Sequence, residues 1–157
     1  MSTSTLRQAQ DSAGLSASTP PLLEIKDLHV HFAVYGGTLK VLDGVYFTVH
    51  SGEKVGLVGE TGCGKTTTMK SILRILPMPP ARVPGGEIYF KGQDVLKMGG
   101  DKLRRVRSEG ISMIFQDPTA ALNPVFTIGQ QLGAVVQYSL EGKKLSRKEI
   151  REQAIIP

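Results

Sequence analysis

The residues from Gly59 to Thr66 read Gly-Glu-Thr-Gly-Cys-Gly-Lys-Thr and match G-x-x-x-x-G-K-[ST] at every fixed position. Gly59, Gly62 and Gly64 permit backbone dihedrals closed to residues with side chains, so that successive N–H groups, including those of Glu60, Thr61 and Cys63, can converge on one anion. Lys65 brings an ammonium suited to the β and γ phosphates of a nucleotide. The hydroxyl of Thr66 suits Mg²⁺, a hard cation that prefers oxygen, and Thr67 can donate to the α phosphate. A helix beginning at Lys65 adds the positive end of its dipole. In a chain of this composition the pattern arises by chance only about 0.02 times.

Such a loop needs a strand before it and a helix after it. Val55 to Val58 is a short apolar run without alternation, which predicts a strand buried on both faces. Beyond the loop Met69, Ile72, Leu73 and Leu76 recur at helical spacing, and Pro77, Pro79 and Pro80 end the run. A plain glycine-rich turn, the competing reading, would lack this framing.

Upstream, Leu23 and Ile25 are apolar at odd positions, and after a slip at Asp27 the even positions Leu28, Val30, Phe32 and Val34 take over. That pattern predicts a strand with a bulge or turn. Gly36-Gly37 supplies a hairpin, and Val45, Phe47 and Val49 alternate again, so the chain opens with an antiparallel β layer. Downstream, Pro84-Gly85-Gly86 is a turn leading to a strand over Glu87 to Phe90, and Asp101 is placed to cap a basic helix reaching Arg107. Ile111 to Phe115 reads as a further buried strand. After a loop from Asp117 to Pro124, Thr127 can cap a helix bearing Ile128, Leu132, Val135 and Val136, and Ser146 with Glu149 forms a capping box for a last helix. The expectation is an α/β fold.

Length and composition bound the rest. The 157 residues suffice for one domain, 40% hydrophobic content fits a packed core, and the net charge of +5 suits a ligand bearing phosphate. Cys63 is the only cysteine, so no internal disulfide can form. It reads either as a small filler or as a thiol activated by the helix N-terminus. Residues 1–21 are rich in Ser, Thr, Ala and Gln, lack the apolar run of a signal peptide, and are expected to be a disordered tail. No stretch reaches the roughly 18 apolar residues of a membrane span. The basic residues Lys102, Arg104, Arg105 and Arg107, and later Lys143, Lys144, Arg147, Lys148 and Arg151, are not interleaved with aromatics and read as solvated helix faces, so no nucleic-acid partner is expected. A GTPase or small-molecule kinase shares the phosphate loop, but no Asn-Lys-x-Asp signal for guanine occurs.

With these motifs in place, the chain resembles the ATP-binding subunit of an ABC transporter, and within that family the oligopeptide/dipeptide importer branch, which includes nickel uptake systems. The resemblance is carried by the loop Gly59 to Thr67, by Gly86-Glu87-Ile88-Tyr89-Phe90-Lys91-Gly92-Gln93-Asp94, and above all by Ile114-Phe115-Gln116-Asp117-Pro118-Thr119-Ala120-Ala121-Leu122-Asn123-Pro124, which is similar to that branch's Q-loop. It covers about residues 22–157.

The resemblance implies a P-loop NTPase with a nucleotide core to about residue 117 and the start of a helical subdomain over 118–157. It implies ATP and Mg²⁺ as cofactors, Lys65 and Gln116 as catalytic residues, and Thr66 and Gln116 as residues facing the metal. Adenine stacking falls to Phe32, with Tyr35 as the alternative; Phe32 also lies on the apolar phase of its strand, where a core role competes. Implied partners are transmembrane permease subunits, a second ATP-binding subunit and, indirectly, a solute-binding protein, on the cytoplasmic face of the membrane. The family's signature motif, its apolar strand ending in Asp-Glu and its switch histidine do not occur; His29, His31 and His50 all precede the loop. The stretch is therefore expected to be the N-terminal part of a longer subunit, and the alternative functions are nucleotide binding without turnover or a nucleic-acid-associated P-loop ATPase.

Overall fold

The alternating apolar positions that open the chain assemble into a four-stranded antiparallel sheet in a computed structural model that describes residues 7–9, 20–117, 122–139 and 146–155. Strands β2 (Leu23–Val34), β3 (Gly37–Val49), β5 (Ala81–Phe90) and β6 (Gln93–Asp94) lie in the order β3-β2-β5-β6. The phase slip at Asp27 is a bulge. Asp27 has φ 48°, and pairing with β3 jumps from Ile25↔Phe47 to Leu28↔Val45, leaving one extra residue on β2. Ile25, Leu28 and Val30 are thereby all buried, together with Leu42, Phe47, Ile88, Phe90 and Val95. At a value of about 1.5–3 kcal/mol for each fully buried large aliphatic side chain, this cluster dominates the unit's stability.

The bulge needs room on its other flank. A Cβ at Gly86, φ 103°, would fall 2.5 Å from Leu28 Cα and 2.6 Å from Asp27 O, so β5 approaches β2 there backbone to backbone. Pro84-Gly85-Gly86 is thus not a turn before the strand but part of it, running from Ala81. The missing N–H of Pro84 is tolerated because β6 pairs only with Tyr89 and Phe90, which leaves that edge of β5 open. The first hairpin turns at Tyr35-Gly36, one residue earlier than the Gly-Gly pair suggested, with Val34 opposite Gly37.

Strand β4 (Gly56–Val58) pairs with β1 (Arg7–Ala9), antiparallel, Arg7 opposite Val58. Part of the expected tail is therefore a strand, because the unpaired edge of β4 offers backbone groups that another segment can satisfy; the remainder, residues 1–6 and 10–19, lies outside the described residues. A two-stranded ribbon also explains why Val58 is 66% exposed rather than buried on both faces.

Helix α1 (Lys65–Ile72) packs on β3 and buries Ile72, with Leu73 and Leu76 buried beyond its end. It stops before the prolines. Arg74 takes φ 51°, its N–H donates to Ser71 O, and the Ile75 N–H donates to Lys70 O, a Schellman closure with arginine where glycine is usual. Arg74 Nη1 also donates to Met98 O at 2.8 Å, past the 3-10 turn Val95–Lys97.

Residues up to Gly99 form one compact unit and those from Gly100 a second. The second unit holds α2 (Gly100–Arg105) and a π-helical turn (Val106–Gly110), then α3 (Ile128–Ser139) and α4 (Arg147–Ile155). Asp101 lies in the first turn of α2 and not at its cap. Ile111 to Phe115 is not a strand. It has no hydrogen-bonded neighbour strand among the described residues, and Ile114 is 93% exposed. Thr127 and Gln130 cap α3 reciprocally: Gln130 N–H donates to Thr127 Oγ1 at 3.3 Å and Thr127 N–H to Gln130 Oε1 at 2.9 Å. Ser146 and Glu149 cap α4 in the same way. Helices α3 and α4 meet where Gly133 leaves space for Ile150. Residues 118–121, in the middle of the expected Q-loop segment, lie outside the described residues.

Candidate functional site: the phosphate loop

The chain leaves β4 at Val58, loops through 59–64 and enters α1 at Lys65, the strand-loop-helix order that the motif requires. Gly62 and Gly64 take φ 86° and 98°. At Gly62 an added Cβ would meet nothing within 4 Å, so the demand there is conformational and that face of the loop is open. Gly64 faces the opposite way, against Val41 and Leu42 of β3, and anchors the loop to the sheet. Cys63 is buried beside it, with its N–H bonded to Glu60 O at 3.2 Å. Burial fits the filler reading of this residue.

Lys65 does not extend into solvent. Its Nζ donates to Gly59 O at 2.6 Å and Glu60 O at 2.7 Å and lies 3.5 Å from Cys63 Sγ. The ammonium thus bridges the loop from its helical end to its strand end. Both carbonyl bonds are exposed, and an anion entering the loop can replace them with charge-assisted ones. The first N–H groups of α1 have no partner within the helix, whereas Thr68 N–H and Thr68 Oγ1 both return to Gly64 O. Thr66 is exposed and Thr67 half-buried at the same end, and Glu60 and Thr61 are exposed on the loop. A cradle of free amides, an ammonium and a hydroxyl fits a polyphosphate, and the Thr66 oxygen fits Mg²⁺ by donor type.

The other expected site residues sit elsewhere. Phe32 is half-buried on β2, opposite Leu39 of β3, three residues or roughly 10 Å of strand from the Leu42 that touches the loop. Tyr35 is fully exposed at the hairpin tip. Burial on β2 falls off from Leu28 and Val30 toward Val34, so Phe32 lies outside the fully buried core. Gln116 is exposed in an irregular stretch of the second unit.

Sequence reasoning missed Gln131. Its Oε1 accepts from Asn123 N–H at 2.9 Å, while its Nε2 donates to Asn123 O at 3.0 Å and Phe126 O at 2.9 Å, holding the end of the segment that follows Gln116. The only signal was a glutamine one turn beyond a helix cap, which by itself marks nothing. The Thr127 cap, in contrast, is read from the sequence, though its partner Gln130 is not.

Comparison with known proteins agrees with this geometry. The chain is 45% identical over 130 residues to the dipeptide transport ATP-binding protein DppD of Bacillus subtilis, covering 82% of this chain and 39% of that one. It is 46% identical over 134 residues to the probable peptide ABC transporter ATP-binding protein y4tR of Sinorhizobium fredii, covering 85% and 39%. OppD of B. subtilis, an oligopeptide transport ATP-binding protein, is 38% identical over 134 residues, covering 85% and 37%. The chain thus spans about two fifths of the length of these relatives. Among solved structures, the dimeric post-hydrolysis state of the ATP-binding cassette MJ0796 bound to ADP and Pi superposes with a TM-score of 0.66 at 20% identity, covering 84% of this chain and 53% of that one, a likeness of fold. No described helix is long and apolar enough to cross a membrane. The family model described as ABC transporter matches residues 42–155, from β3 through the phosphate loop to α4, and the chain belongs to that family.

Proposed function

We propose that this chain is the nucleotide-gripping part of the ATP-binding subunit of a peptide importer, holding MgATP in the loop 59–67. The observation that carries the reading is the Lys65 ammonium held across a glycine-rich loop at the start of α1. Lys65 exchanges the carbonyls of Gly59 and Glu60 for β and γ phosphate oxygens. The amides of the loop and of the first turn of α1 hold the remaining oxygens, and Thr66 presents its hydroxyl to the metal. Mg²⁺, when bound, neutralises charge on the β and γ phosphates. Phe32 or Tyr35 stacks on the base. Gln116 holds the attacking water near the γ phosphate and reports nucleotide state to the permease.

The reading extends to the whole subunit through the relatives. They are peptide transport ATP-binding proteins by name, which supports permease subunits as partners, a peptide as solute, and a cytoplasmic position against the membrane; the dimeric MJ0796 supports a second ATP-binding subunit. We assign residues to about 117 to the nucleotide core and α3 and α4 to the start of the helical subdomain. No Asp-Glu pair occurs in these 157 residues, so the carboxylate that polarises water is not drawn from them, and what they supply is the grip on nucleotide and the Gln116 amide. Titration calorimetry of the full chain with MgATP tests this. Saturable binding that Lys65→Ala weakens by about 10- to 150-fold, the equivalent of about 1.5–3 kcal/mol for hydrogen bonds to a charged group, is expected. No binding by folded chain would overturn the reading.

A further inference from the structure

A second constellation lies in the β layer. His29 and His31 alternate along β2, and Asp43 stands on β3 close to the bulge; one ligand atom from each of the three lies within 4.8 Å of the others. His29 is gripped from two sides. Its Nδ1 is 2.9 Å from Asp43 Oδ1 and its Nε2 is 3.2 Å from Asp27 Oδ1. A neutral imidazole donates from one nitrogen only, while an ionised carboxylate can only accept. With the ring neutral, one of the two contacts therefore sets a nitrogen lone pair against a carboxylate oxygen, an arrangement relieved either by a second ring proton or by a cation between the two atoms. His31 adds an independent sign: its Nε2 is shut off from solvent and has no hydrogen-bond partner.

Both demands are met by one occupant. If His29 Nε2–H donates to Asp27, Nδ1 presents its lone pair to an ion shared with Asp43, the carboxylate-histidine-metal arrangement that fixes the tautomer of a ligating histidine. The 2.9 Å between Nδ1 and Oδ1 is about 0.4 Å short of the roughly 3.3 Å separating neighbouring ligands on a tetrahedral ion with bonds of about 2.0–2.1 Å, an opening that a small side-chain rotation supplies. The ring has room to turn, because its strand neighbours Gly44 and Gly85 carry no side chain: Cβ atoms there would lie 3.9 Å from His29 Cε1 and 3.6 Å from Cδ2. Lys40, whose Nζ is 4.0 Å from Asp43 Oδ2, is exposed and can swing aside. Two imidazoles and a carboxylate favour a borderline transition ion over Mg²⁺ or Ca²⁺.

We propose that His29, His31 and Asp43 bind one divalent transition-metal ion of the zinc class, at a site distinct from the phosphate loop. The test is equilibrium dialysis of the full chain against Zn²⁺ without nucleotide. One retained zinc per chain is expected, weakened at least tenfold by His31→Gln and by Asp43→Asn, unchanged by His50→Gln, and not displaced by millimolar Mg²⁺. Ring-nitrogen NMR of the unsubstituted chain guards against misfolded variants: zinc must move the His29 and His31 signals and leave His50 in place. Failure to retain zinc, retention indifferent to both substitutions, or a response at His50 instead would overturn the proposal. MgATP binding is measured separately, so the fate of one site does not decide the other.

Discussion

Gly64 lies so close to Leu42 that no side chain fits between them: a Cβ at position 64 would fall 2.6 Å from Leu42 Cδ2 and 3.2 Å from Val41 O. The phosphate loop is thus fixed to the sheet at the point where it becomes a helix. Gly64→Ala adds this overlap to the cost of a left-handed alanine and is expected to destabilise the chain by at least about 2 kcal/mol in urea unfolding. In a double-mutant cycle with Leu42→Ala, roughly 0.5–3 kcal/mol of coupling should appear, because only the side-chain part of the overlap is relieved.

Gly86 is stricter. Its neighbours at 2.5 and 2.6 Å are backbone atoms of Leu28 and Asp27, which no rotamer change can move. Gly86→Ala should cost more than Gly64→Ala, about 3 kcal/mol or more, read as a lower urea midpoint at unchanged slope.

Thr66→Ala separates metal from phosphate. The hydroxyl is exposed at the loop and no described partner in α1 depends on it, so stability should change by less than about 0.5 kcal/mol. ATP affinity should fall about tenfold in Mg²⁺ and stay level in EDTA, which calorimetry in the two buffers would show.

The Ser146 hydroxyl and backbone N–H, in that order, hold the Glu149 carboxyl below the ordinary glutamate range. A folded-state value below the unfolded one means that the cap contributes fully above the ordinary glutamate range and is lost as pH falls through the lowered value. Carboxyl NMR of the full chain should show Glu149 titrating low, and back in the ordinary range in Ser146→Ala, where the backbone donor alone is weaker.

Gln131→Ala removes three hydrogen bonds from the segment Asn123 to Phe126 while leaving Thr127 and Gln130 to cap α3. Amide exchange at Asn123 should quicken by about tenfold or more, with α3 little changed.

The phosphate loop, the Asp27 slip and the Ser146 box were legible because each is set by neighbours within four residues: a glycine, a phase of alternation, a hydroxyl three places before a carboxylate. Ile111 to Phe115 was misread for the opposite reason. Apolar content marks a segment that can be a strand, but becoming one requires hydrogen-bonded partners, and none stands beside it among the described residues. The continuation of β5 through Pro84-Gly85-Gly86 was hidden likewise, since local turn chemistry is overruled there by the facing bulge. His29, His31 and Asp43 form no motif in the sequence, and only the register of β2 on β3 sets them side by side.

The bulge at Asp27 carries a rule of parity for this chain. Because a single surplus residue lets both halves of β2 face one core, deleting one position between Ile25 and Leu28 would set two steps of β2 against two of its neighbours and leave a plain ladder with the same side chains inside, whereas removing a pair would leave β2 one residue short. A single-residue deletion is therefore tolerated at the surplus position, and the same deletion elsewhere in the strand would be felt through β3 as far as the seat of Gly64.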